Sequence, residues 1–149
     1  MYEFLHYRVE DVMTADVVTV TPDTPLREIE EIFDGRNFNG LPVLSESGEV
    51  VGMVTKLDIL GAFRFTEQHP VPHYDEIVQQ PASSVMSEAV EAVTPRTPLT
   101  RVLEKLVTTR LKSYAVLDEG RLVGIVSRED VMRALRAATA RRNHGESQP

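Results

Sequence analysis

Cysteine and tryptophan are both missing from this chain, and aromatic side chains make up only 6% of it. Without cysteine there can be no disulfide, no thiolate nucleophile and no cysteine-ligated metal. Long apolar runs are missing too: nothing approaches the roughly 18 consecutive apolar residues of a membrane-spanning helix, so no membrane partner is expected. The stretch from Met1 to Met13 carries Glu3, His6, Arg8, Glu10 and Asp11. It therefore lacks the apolar centre of a signal peptide, and a cytoplasmic location is the expectation. Positive charge is scarce: 16 Lys and Arg stand against 23 Asp and Glu, a formal net charge of −7. That balance disfavours nonspecific attraction to DNA, RNA or anionic lipid, so no nucleic-acid partner is expected. Arg133, Arg136, Arg141 and Arg142 do cluster near the C-terminus. Their simplest role is to complement the negative end of a helix dipole. What is present, 42% hydrophobic and 26% charged residues over 149 positions, describes a soluble globular protein with room for one ordinary domain or two very small ones.

The chain repeats itself once. Val12-Met13-Thr14 returns as Val85-Met86-Ser87, and Val20-Thr21-Pro22-Asp23-Thr24-Pro25-Leu26 returns as Val93-Thr94-Pro95-Arg96-Thr97-Pro98-Leu99. Leu41-Pro42-Val43-Leu44 matches Tyr114-Ala115-Val116-Leu117. Val51-Gly52-Met53-Val54-Thr55-Lys56-Leu57-Asp58 matches Val123-Gly124-Ile125-Val126-Ser127-Arg128-Glu129-Asp130. Four blocks in one order, offset by a single residue in the second hairpin turn, are a duplication.

Each copy reads as β-α-β-β-α. Short β-rich runs, Val17 to Val20 and Val90 to Val93, precede helices in which Thr24 or Thr97 is expected as N-cap, with Pro25 or Pro98 at the first helical position. The helices carry apolar faces of Leu26, Ile29 and Phe33, and of Leu99, Val102, Leu103, Leu106 and Val107. Hairpins follow, turning at Ser45-Glu46-Ser47-Gly48 and Asp118-Glu119-Gly120. Their second strands, Val50 to Val54 and Leu122 to Val126, are almost continuously apolar, as expected for burial on both faces. Gly52 and Gly124 interrupt them at equivalent points, where a backbone or ligand should approach closely. Closing helices begin near Thr55 and Ser127. A unit of about 55 residues buries little surface alone, so the two copies are expected to pack sheet on sheet around one shared core. The boundaries are a first domain over 8–64, a linker over 65–81 in which Tyr74 to Gln79 can form a helical turn, a second domain over 82–140, and a flexible tail over 141–149.

These blocks resemble the CBS-domain family. The markers are Val12-Met13-Thr14, the Thr-Pro before the first helix of each copy, Leu41-Pro42-Val43, and the doubled Gly-x-Val-Thr/Ser-x-x-Asp. The resemblance implies an α/β (α+β) fold of two tandem CBS domains, packed with pseudo-twofold symmetry into one disc-like module that pairs into a homodimer. It implies a non-enzymatic sensor that takes AMP, ADP or ATP, or less often S-adenosylmethionine, in clefts between its halves. No cofactor is required, and the ligand state passes to an effector protein whose identity is not implied.

Thr55-Lys56-Leu57-Asp58 and Ser127-Arg128-Glu129-Asp130 carry two readings side by side. In one, a hydroxyl residue at a helix start turns backbone N–H groups towards phosphate, Asp accepts both ribose hydroxyls, and Lys56 or Arg128 pairs with phosphate oxygens. In the other, Thr-x-x-Asp and Ser-x-x-Asp are capping boxes and nothing more. The resemblance implies that each cleft takes its Asp from one repeat and its base-contacting strands from the other. One set would be Ser127, Arg128 and Asp130 with Thr14, Asp16, Val18, Asn39, Gly40 and Pro42. The other would be Thr55, Lys56 and Asp58 with Ser87, Ala89, Lys112, Ser113 and Ala115. Family members that hold phosphate tightly often place His or Arg just before the Leu-Pro-Val strand. Here Asn39-Gly40 and Lys112-Ser113 stand there, so the set with Lys56 and Lys112 suits polyphosphate better.

Other residues have simpler roles. His6, His69, His73 and His144 lack metal-ligand spacing, and no Ser-His-Asp constellation or Walker loop occurs. Tyr114 is expected to pack, with base stacking the lesser option, and Met13 and Met86 to sit in the core. Glu30-Glu31 reads as a solvated face.

Overall fold

The duplicated blocks become duplicated elements. In the structure, a computed structural model, residues 2–146 are described, with side chains described as far as residue 140. A 3-10 helix over Tyr2–His6 leads to α1 (Val9–Val12), α2 (Leu26–Phe33), β1 (Gly40–Leu44), β2 (Val50–Thr55), α3 (Lys56–Ala62) and α4 (Tyr74–Ile77). A 3-10 turn over Ala82–Ser84 then leads to β3 (Ala92–Val93), α5 (Leu99–Thr109), β4 (Ser113–Asp118), β5 (Arg121–Ser127) and α6 (Arg128–Glu146). Helix α6 continues past residue 140 into the segment expected as a tail; the side chains of Arg141, Arg142 and His144 lie outside the described residues.

The chain divides into two compact units, and the division cuts across the repeats. One unit joins Met1–Val17 to Glu91–Pro149; the other is Val18–Val90. Backbone bonding explains the cut. Thr14 exchanges both N–H···O bonds with Ile125 of β5, at 2.8 and 2.9 Å, and Ser87 does the same with Met53 of β2, at 2.9 and 3.0 Å. The opening segment of each repeat is thus bridged to the second hairpin strand of the other.

Each unit forms its own hydrophobic cluster. In the Val18–Val90 unit, Leu26, Ile29, Phe33, Leu41, Val43, Val54 and Ile59 pack together, with Ile77 of the linker and Ala82 at the start of the second repeat. In the other unit, Leu99, Val102, Leu106, Tyr114, Val116, Val126 and Val131 pack with Phe4 and Val9. Each fully buried side chain of this size stabilises by roughly 1.5–3 kcal/mol. Borrowed residues therefore help each half-sized repeat complete a core of its own.

The hairpins follow the expected pattern. Antiparallel β1–β2 and β4–β5 carry register shifts at equivalent places, Val43/Leu44 and Val116/Leu117. The shorter second turn places Glu119 (φ 51°) and Gly120 (φ 81°) in the left-handed region, as a two-residue hairpin turn requires. Of the two β-rich runs, only Ala92–Val93 forms a strand, parallel to β4. Its counterpart is reduced to a parallel bridge between Val20 and Val43.

Several expectations are corrected. Pro25 and Pro98 are the capping residues, and Thr24 and Thr97 lie one step outside. Their hydroxyls accept from the N–H groups of Thr21 and Thr94, at 2.9 and 3.0 Å, closing the preceding turns. The first helical amides need no side-chain cap, because Leu26 donates to the Gln80 carbonyl and Leu99 to that of Tyr7, each at 2.9 Å. Val107 is 67% exposed, because its position on α5 falls outside the arc shared by Leu99, Val102 and Leu106. The second hairpin strands are not buried on both faces: Gly52, Val54, Gly124 and Val126 are buried, whereas Val51, Met53, Val123 and Ile125 are only partly covered. The linker does form its helical turn, α4.

Candidate ligand-binding site

Thr55 and Ser127 sit where a β-strand ends and a helix begins, and both have extended neighbours on the strand side and helical ones after. Asp58 Oδ2 accepts from the Thr55 N–H at 2.8 Å and from its hydroxyl at 3.0 Å, while the Asp58 N–H donates to Thr55 Oγ1 at 3.2 Å. Asp130 Oδ2 accepts from the Ser127 N–H at 2.9 Å and its hydroxyl at 3.0 Å, with the Asp130 N–H returning a 3.2 Å bond. Both motifs are reciprocal capping boxes. Capping uses only one oxygen of each carboxylate. The second oxygen, Oδ1, takes the Arg133 guanidinium at 3.1 Å in Asp130 and has no partner among the described residues in Asp58.

The glycines of β2 and β5 explain how the borrowed segments come so near. A Cβ on Gly52 would stand 2.5 Å from Met86 Sδ, and one on Gly124 would stand 2.8 Å from Met13 Sδ and 2.9 Å from the Thr14 carbonyl oxygen. The close approach expected at both glycines is that of the methionine of the opposite repeat. Met13 and Met86 are accordingly partly buried against the two clusters.

The predicted sets divide between the units. Thr14, Asp16, Ser127, Arg128 and Asp130 fall in one unit, together with Lys112, Ser113 and Ala115. Thr55, Lys56, Asp58, Ser87 and Ala89 fall in the other, together with Val18, Asn39, Gly40 and Pro42. Within each unit the hairpin brings its own pair together: Ser113 stands opposite Ser127, and Gly40 opposite Thr55. Lys112 presents its carbonyl to the Arg128 N–H at 3.0 Å. Thr14, Asp16, Ser87, Ala89, Lys56 and Lys112 are exposed, whereas Gly40, Pro42 and Ala115 are buried.

The two cations of the motifs are placed differently. Arg128 turns its guanidinium back on the end of α5, donating to the Leu111 carbonyl at 3.1 Å and to that of Arg110 at 2.6 Å. Arg128 is thereby a C-terminal helix clamp, not a free phosphate partner. Lys56 keeps its amine exposed, 5.8 Å from the centre of the Phe33 ring. It borders an open groove of about 580 Å³ that includes Arg27, Glu30, Asp34, Leu60 and Tyr74 but neither Thr55 nor Asp58.

The CBS domain family matches the sequence twice, over residues 9–64 and 82–137. The chain belongs to the CBS-domain family. This CBS pair is 33% identical over 134 residues to inosine-5'-monophosphate dehydrogenase of Escherichia coli (strain K12), covering 88% of this chain but 25% of the enzyme. It thus spans about a quarter of that curated relative. With the CBS domain-containing protein YhcV of Bacillus subtilis (strain 168) it shares 31% identity over 123 residues, 83% of this chain and 81% of YhcV. Among solved structures, the CBS protein CBSX2 in complex with AMP matches with a TM-score of 0.76 at 25% identity, covering 89% of this chain and 98% of that one.

Two contacts of the CBS pair escaped the sequence reading. Arg133 stands three residues after Asp130 on a helix, a spacing that signals an ion pair to a reader who looks for one. Glu30 is not a bare solvated acid: it accepts from the Tyr74 hydroxyl at 2.8 Å. This bond to Glu30, first among its causes, holds the Tyr74 pKa above the ordinary 10.0. No local pattern joins residues so far apart in sequence. Tyr114 is 0% exposed, which removes base stacking as a role.

Proposed function

We propose that this CBS pair is a regulatory module that binds an adenine nucleotide, AMP, ADP or ATP, and passes its ligand state to a separate effector protein. Ribose is held by Asp58 and Asp130, and Lys56 and Lys112 are the cations left for phosphate, since Arg128 is engaged elsewhere. One observation carries the reading: capping leaves Asp58, a half-buried residue, a carboxylate oxygen with no donor among the described residues, and an oxygen of that kind suits a sugar hydroxyl. The similarity to a CBS protein solved with AMP supports it.

A second reading is favoured by a different observation. Both acidic side chains already serve as helix caps, as they would in a homodimeric interaction module whose ligand sites are vestigial.

Thermal unfolding with AMP, ADP, ATP and S-adenosylmethionine separates the two. A ligand at 100 times its Kd should stabilise the fold by about 2.7 kcal/mol. Asp58→Ala should then weaken binding by about ten- to a hundredfold if charged hydrogen bonds to ribose are lost. A stable dimer that responds to none of these compounds would replace the sensor with the interaction module.

A further inference from the structure

The two acidic side chains differ in what covers them. Asp130 is 3% exposed, and its carboxylate is met on both oxygens by its own chain: Ser127 at Oδ2 and the Arg133 guanidinium at Oδ1. Asp58 is half-buried and carries the same cap at Oδ2, but its Oδ1 faces no donor among the described residues. The difference comes from one position. Residues three apart on a helix share a face, so the residue three after each Asp decides what lies over its free oxygen. After Asp130 that residue is Arg133; after Asp58 it is Gly61, which has no side chain to offer.

A ribose diol and a guanidinium compete for the same lone pairs, because both approach a carboxylate as hydrogen-bond donors. At Asp58 the sugar meets a free oxygen. At Asp130 two donors already fill Oδ2 and Arg133 takes one of the two lone pairs of Oδ1, so both hydroxyls of the diol are accepted only when that charge-assisted bond yields. The Arg133 side chain is 65% exposed, so the arginine is anchored only at its tip and can swing away into water. It behaves as a latch and not as part of the core.

We infer that Arg133 makes the two nucleotide sites unequal: Asp58 is the open site and fills first, while Arg133 holds Asp130 closed to the sugar until ligand is more abundant. This rests on the nucleotide reading above and adds which site leads and which side chain decides it. Arg133 acts through Asp130 and is therefore a positioning residue. The sequence also supplies a reciprocal test. A Cβ on Gly61 would meet nothing within 4 Å, so an arginine can be placed there without a clash.

The experiment is calorimetric titration of the full chain with AMP, with thermal unfolding of each variant as a folding control. Wild-type protein should show two events of different affinity, the tighter lost in Asp58→Ala and kept in Asp130→Ala. Arg133→Ala should tighten the weaker event by about three- to tenfold, and Arg133→Lys should restore most of the difference. Gly61→Arg should weaken the tighter event by a similar factor. Two equal events in the wild type, or an Arg133→Ala variant whose weaker event is unchanged or weaker still, as it would be if Arg133 gripped phosphate, would overturn the latch alone. No AMP binding to any of these proteins would overturn the nucleotide reading and the latch together.

Discussion

In the unit that contains the second hairpin, β4 carries Tyr114, fully buried, with its hydroxyl sharing a short bond with Thr109 and a 3.1 Å bond with the Lys105 carbonyl. In the other unit the equivalent place holds Leu41, equally buried, which has no polar atom to satisfy. The same contrast recurs along the repeat. Arg128 clamps the end of α5 where Lys56 borders an open groove, Arg133 pairs with the second oxygen of Asp130 where Gly61 offers Asp58 no side chain, and α6 runs to Glu146 where α3 stops at Ala62. Duplication has preserved the backbone path and its caps while the side chains around them have diverged. Equivalent motifs therefore need not be equivalent sites.

The largest test of this comparison is in the cores. Tyr114→Ala should cost about 3–5 kcal/mol and Leu41→Ala about 2–5 kcal/mol, each read from urea unfolding. Tyr114→Phe sharpens the point: losing its hydroxyl bonds should cost about 1 kcal/mol, a loss with no counterpart at Leu41. An unchanged unfolding midpoint in Tyr114→Phe would mean that the hydroxyl pins nothing.

Next in size are the crossing points. Gly52→Val and Gly124→Val should each destabilise by about 1–3 kcal/mol through overpacking. Gly124 should be the more sensitive, because its added carbon meets the fixed Thr14 carbonyl oxygen at 2.9 Å, whereas at Gly52 the nearest backbone atom, the Ser87 oxygen, is 3.1 Å away and Met86 can turn aside. Equal losses, again by urea unfolding, would erase that distinction.

The smallest effect belongs to Tyr74, which the second repeat does not mirror. Its bond to Glu30 exists while the phenol is protonated, and the folded pKa is raised, so the contribution is fully present below pH 10.0 and is lost as pH climbs through the raised value. The ultraviolet difference titration of wild type against Tyr74→Phe should show one phenolate appearing later than an ordinary tyrosine. Appearance at or before the ordinary value would remove the bond from the solution structure.

Much of the fold was legible because it is written twice. Val43 and Val116, Gly52 and Gly124, and Thr55 and Ser127 announce strand, crossing and cap through short-range patterns that a repeat confirms. At the helix starts the local pattern points to Thr24 and Thr97, one residue too early, since the carbonyls of Gln80 and Tyr7 that relieve the first amides come from distant parts of the chain. The candidate site was legible as residue types but not as geometry. Capping and ribose binding ask for the same Thr/Ser-x-x-Asp, and only coordinates reveal that one oxygen performs the first task and that Arg133 takes up the spare oxygen of Asp130 alone.

By itself the sequence determined the duplication, the alternation of helix and strand within each repeat, the hairpin turns and the acids at the two helix starts. These depend on neighbours a few residues apart, where periodicity and turn chemistry act. Only the tertiary structure decided that each repeat lends its opening segment to the other's hairpin, that borrowed residues complete the cluster of each unit, and that Arg133 meets the second oxygen of Asp130 while that of Asp58 has no partner among the described residues. Such outcomes arise from contacts between distant segments, for which steric fit and competition among donors, not local preference, set the lowest free energy.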